Sequence, residues 1–151
     1  MNFTQYMQTL TEDKRPTLKN LIDNFGKVFP YSEKDLPVIN WRVEGKDGND
    51  MTAKGLVKSE SGQGSYNVLV EFHRDDLDTP WTVYSVGKVN CTCNAFRFNT
   101  AYPDVKNDVL AGIPKSYNRI PNKMLNPKQI PSVCKHVYSF LHFLYNKKVI
   151  Q

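Results

Sequence analysis

The 151-residue chain has three cysteines and three histidines, and four of these six residues fall into two tight pairs: Cys91-Thr92-Cys93 and Cys134-Lys135-His136. One residue separates the members of each pair, and 40 residues separate the pairs. Thiolates and imidazoles are the donors that tetrahedral zinc takes, and three cysteines with one histidine make one of its usual closed sets. In an extended segment, side chains at i and i+2 project to the same face, so each pair can present both members to one ion. The competing uses of these residues fit less well. An extended i to i+2 pair points its side chains in parallel, with alpha carbons near the upper limit for a disulfide, and an odd cysteine count leaves any disulfide framework incomplete. Buried thiols can serve as small apolar fillers. A nucleophilic pair of Cys134 and His136 would leave Cys91 and Cys93 without a role. The spacing therefore predicts a Zn2+ site built from Cys91, Cys93, Cys134 and His136, and no catalytic residues.

The arrangement Cys-x-Cys followed by Cys-x-His resembles the SWIM-type zinc finger. The resemblance covers about residues 64–148 and includes a strand predicted to lead into the first pair and a helix predicted to leave the second. The gap between the pairs is longer than is usual for that family and is rich in proline. Its sequence, with Phe96, Arg97, Phe98, Tyr102 and Pro103 ahead of Asn126-Pro127, is similar to SWIM-like proteins of tailed bacteriophages. The resemblance implies a zinc-stabilised module that binds DNA or protein and performs no chemistry of its own.

Elements must deliver the two pairs to one point. Leu18, Leu21, Ile22 and Phe25 recur at helical spacing after Pro16, with Gly26 as a stop signal. Phe3, Tyr6, Met7 and Leu10 fit one face of a shorter helix. From Val38 the period becomes two. Ile39, Trp41 and Val43 share one face of a first strand, Lys46-Asp47-Gly48-Asn49 turns the chain, and Met51–Lys58 returns. Tyr66, Val68, Val70 and Phe72 alternate in the strongest strand. Trp81–Val86 reads as a further strand, with Gly87-Lys88 bending the chain toward the first cysteine pair. After Cys93, Phe98 and Tyr102 stand four apart, and a short helix is expected. From Pro103 to Pro131, where five of the nine prolines lie, no period survives, and a loop pinned at both ends by one ion is expected. Val133, Val137, Phe140, Leu141 and Leu144 make the apolar stripe of a final helix, with Ser132 as its candidate N-cap. Cys134 and His136 would stand about 200° apart on an ideal helix, so Cys134 must lie at its irregular start. The helix dipole there is expected to favour the Cys134 thiolate. The fold class is α+β: an antiparallel sheet with a C-terminal helix joined to it by zinc, plus N-terminal helical segments. Residues 1–35 form the helical segment and residues 36–151 the zinc-binding domain.

The net charge of +5 is unevenly spread. Residues 1–87 carry ten Lys/Arg and thirteen Asp/Glu, whereas residues 88–151 carry ten and two. A positive half of this kind is the footprint of a phosphate-backbone contact. The nucleic-acid-binding candidates are Arg97, Lys115, Arg119, Lys123, Lys128 and Lys135. An acidic protein partner fits the same charge, so DNA and the other proteins of a virion both stand as partners. His73 and the acidic turn at 75–78 read as surface features, and His142 lies on the wrong side of the last helix to share the metal. No small-molecule substrate is expected. The absence of a long apolar run or secretory pattern points to a chain that works in the cytoplasm, of a host cell if phage-encoded, or within a virion.

Overall fold

In the computed structural model, which describes residues 2–3, 15–30, 35–112, 126 and 128–151, the period-two stretches form an antiparallel meander. Its strands are β1 (Val38–Glu44), β2 (Asp50–Lys58), β3 (Ser65–His73) and β4 (Gly87–Cys91), in that spatial order. Met51, Ala53 and Val57 of β2, Val68, Val70 and Phe72 of β3, and Val89 and Cys91 of β4 are buried on one face. Thr52, Lys54, Asn67, Glu71, Lys88 and Asn90 alternate with them on the other.

Helix α1 (Leu18–Val28) begins with a capping box, in which Asn20 N–H donates to Thr17 Oγ1 and Thr17 N–H to Asn20 Oδ1. It runs through Gly26 and buries Leu18, Leu21, Phe25 and Val28 in the same core. The C-terminal helix α4 (Lys135–Asn146) crosses the sheet and buries Val137, Phe140, Leu141 and Leu144. Each such side chain contributes about 1.5–3 kcal/mol relative to exposure. The helix packs tightly over Gly55, where a β-carbon would stand 2.4 Å from the Phe140 ring. The α+β class with a closing C-terminal helix is as expected.

Four local expectations are corrected. A bulge between Val38 and Asn40 puts Val38 opposite Val57, so Val38 packs against the core and Ile39 is exposed. Residues 81–86 are not a ladder strand. The Val83 and Ser85 carbonyls instead accept the N–H groups of Lys19 and Leu18, satisfying first-turn donors of α1. The strand begins at Gly87, where a β-carbon would meet Leu18 and the Glu71 carbonyl. The stretch after Pro103 is structured at its start. Helix α2 (Asn94–Asn99) is followed by α3 (Ala101–Lys106), which holds Pro103 in its first turn where no N–H is needed. Residues 109–111 then pair with β4 through Val89 N–H to Val109 O and Ala111 N–H to Val89 O. Lastly, α4 starts two residues later than expected, with Cys134 and not Ser132 as its N-cap. The N-terminal helix expected around Phe3–Leu10 falls largely outside the described residues.

Candidate metal centre

Cys91 ends β4 on the buried face of the sheet. The turn out of β4 is held by Thr92, whose N–H donates to Asn67 O (3.1 Å) and whose Oγ1 accepts from Asn67 N–H (3.0 Å). Thr92 thereby keeps β3 and β4 in register past the end of the strand. Cys93 remains extended as the N-cap of α2, and its Sγ accepts the Phe96 N–H at 3.3 Å.

The second pair arrives from the far end of the long gap. Cys134 is extended (φ −95°, ψ 177°) and His136 lies in the first turn of α4. That break from helical geometry removes the 200° separation and lets both side chains face the same point. The approach is fixed by polar side chains. Ser132 N–H donates to Asp104 Oδ1 (2.9 Å). Asn126 binds Asn99 O and both backbone groups of Ile130, and Asn24 Nδ2 donates to Pro131 O.

The ligand atoms of Cys91, Cys93, Cys134 and His136 all lie within 4.8 Å of one another, and all four residues are buried. Cys134 Sγ lies 3.9 Å from His136 Nδ1. Zinc bonds of about 2.3 Å to sulfur and 2.0–2.1 Å to nitrogen place tetrahedral donors about 3.5–3.8 Å apart, so the four fit one ion after a small contraction. The electrostatics agree. Burial pushes the Cys91 and Cys134 thiols well up, while hydrogen bonds from the Cys134 and Cys91 thiols hold Cys93 far below the usual thiol range. Three sulfurs and an imidazole, all buried with their ligand atoms close together, are an arrangement that a cation completes. The Tyr66 ring packs on the imidazole at 4.7 Å.

No family model matches this chain, and no curated protein and no solved structure does. The centre is thus read from its own donors: a buried Cys3His cluster that can hold a metal ion, tying the sheet to the C-terminal helix.

The basic candidates separate. Arg97 and Lys128 are exposed. Lys135 is engaged by Glu60 in the β2–β3 turn, its Nζ 2.5 Å from Oε2, so its charge is balanced within the chain. Lys115, Arg119 and Lys123 lie outside the described residues. His73 is exposed between Asp50 (2.8 Å) and Asp75 (3.0 Å), and His142 is exposed. Among the described residues, no helix is long and apolar enough to cross a membrane.

The sequence reading missed Asp104 and Asn126. Asp104 is one of only two acidic residues in the basic half, and that isolation was the available signal. It is fully buried, and burial pushes its carboxyl well above the usual range, opposed by the Ser132 N–H.

Proposed function

We propose that this chain is a non-catalytic, zinc-stapled module of the SWIM type that binds DNA through its basic C-terminal half, in a phage-encoded setting. The observation that carries the reading is the coincidence of two features in one segment. Residues 88–151, which hold all four donors, also carry ten Lys/Arg against two Asp/Glu. Bound to these donors, zinc would supply a strong tie between β4 and α4. Four protein donors leave no coordination position for a substrate, which supports a binding role over hydrolysis. Arg97, Lys128 and the cations at 115, 119 and 123 would neutralise phosphates, while Lys135 stays with Glu60.

The test is the salt dependence of binding to duplex DNA. Neutralising several phosphates makes affinity fall steeply and log-linearly with salt. No binding at low salt would remove this reading. The second reading, a virion protein using the same module for subunit contacts, draws on the exposed Ile39 (55%), Tyr84 (69%) and Tyr145 (58%). Stoichiometric recovery of the chain from purified particles, with no salt-sensitive DNA binding, would favour it.

A further inference from the structure

The sheet face turned away from α1 and α4 carries cations and amides that the metal centre does not use. Across β1 and β2, Asn40 stands opposite Leu56 and Arg42 opposite Lys54. In β3, Asn67 continues the first of these rows and Leu69 the second. Asn40, Arg42, Lys54, Leu56 and Asn67 line a hollow of about 300 Å³ there. Two cations thus stand directly opposite each other in the ladder, an arrangement that is destabilising in itself.

The carboxylates on this face answer the pair only in part. Glu44 lies 3.4 Å from Arg42, and both side chains are well exposed, so that ion pair is weak and easily exchanged. Glu71 stands opposite Thr52 on one side and Lys88 on the other, one step along the face from Lys54. Among the described residues, no carboxylate forms an ion pair with Lys54.

We propose that Arg42 and Lys54 together hold a phosphate of the DNA backbone on this outer face. A phosphodiester between them turns a repulsive pair into a bridged one. The planar guanidinium suits two phosphate oxygens at once, and the ammonium adds a point charge. Asn40 Oδ1 accepts the Trp41 N–H at 2.8 Å, which commits the oxygen and leaves Nδ2 to donate. Asn67, exposed on the next strand but one, offers a second amide. The proposal rests on the DNA reading and extends it to a new surface. None of the cations singled out from the sequence lies on β1 or β2, and this pair belongs to the half of the chain with more acids than bases. Lys88 on β4 carries the same face into the basic half, where Asp108 holds it at 3.4 Å.

The experiment measures duplex-DNA binding against salt for the parent, Lys54→Gln, Lys54→Arg and Lys27→Gln, with the melting temperature of each free protein. Lys27 is an exposed cation in the last turn of α1, on the core side of the sheet, so its loss removes the same net charge elsewhere. Lys54→Gln is expected to weaken binding several-fold at low salt and to lower the salt slope by about one unit. It should melt no lower than the parent, since a like-charge pair is removed. Lys54→Arg should keep both affinity and slope, and Lys27→Gln should keep the slope. An unchanged slope in Lys54→Gln, or an equal fall in Lys27→Gln, would overturn the proposal. A parent that binds no DNA at low salt would contradict the DNA reading instead. Melting in inorganic phosphate against chloride at matched ionic strength would then decide this site. A larger phosphate-induced rise in the parent than in Lys54→Gln upholds it, and equal rises overturn it.

Discussion

The two arms of the metal centre reach the same point by different means. Cys91 and Cys93 are carried by β4 and the turn after it, and β4 is paired to β3 over five registered residues. That arm is held by a backbone ladder and by Thr92, and its position follows from the sheet. Cys134 and His136 follow a long connection whose return is held by a few side chains: Asp104, Asn126 and Asn24. Ladder bonds form cooperatively with the sheet, whereas each of these anchors depends on a loop closing elsewhere. The first arm is therefore expected to be preformed, and the second to depend on an ion held at the cluster.

The largest effect should come from removing the ion. Chelation of the metal-loaded protein, or Cys134→Ser, is expected to cost a large part of the about 10–16 kcal/mol of apparent binding energy typical of structural zinc. Hydrogen exchange will show where the loss falls. Amides of α4 and residues 128–134 should lose protection first, while β2 and β3 keep theirs longer. Equal and simultaneous loss throughout would erase the distinction between the arms.

Asp104→Asn probes the second arm alone. The raised carboxyl of native Asp104 binds its proton more tightly than in the unfolded chain. Its contribution is thus complete below the unfolded value of about 3.9 and is lost as pH rises through the native value. Asparagine has no such proton to lose. The variant should gain on the parent as pH rises from 4 to 7, by about 1–3 kcal/mol at the upper end. Melting temperatures of the two proteins across that range measure the difference, and a constant offset would contradict the assignment.

Thr92→Val probes the first arm. It removes the Thr92 Oγ1 acceptor of Asn67 N–H but keeps the ladder, so a loss of only about 0.5–1.5 kcal/mol in urea unfolding is expected, with metal affinity little changed. A large drop in metal affinity would show that this arm is not preformed.

The smallest effect lies away from both arms. Hydrogen bonds to Asp50 and then Asp75 raise His73 above 6.5. The ion-pair stability is fully present below the unfolded value and disappears as pH rises through the native one. His73→Gln should cost, after solvent screening, at most about 0.2–1 kcal/mol at acidic pH and nothing at high pH. Imidazole resonances followed by NMR against pH check the direction.

The legibility of these parts follows their physics. The donors could be seen because rare residues in a fixed pattern carry their chemistry wherever the chain goes. Strands β2 and β3 could be seen because one buried face imposes alternation. The bulge at Ile39 could not, since it exists only relative to the partner strand. Residues 81–86 have strand-like composition, but their carbonyls are used by α1, a demand set by tertiary packing. Helix α3 was hidden by Pro103, which is tolerated in a first turn and nowhere deeper. Asn126 looks like an ordinary polar residue until burial makes its hydrogen bonds necessary, and Asp104 stands out only as one of two acidic residues in the basic half.

Native mass spectrometry of the purified chain, before and after chelation, tests the central claim most directly. One zinc per polypeptide is expected, with chelation shifting the charge-state distribution toward an opened chain and Cys91→Ser abolishing the bound ion. A chain that carries no metal, or one whose charge states are the same with and without it, would contradict the account.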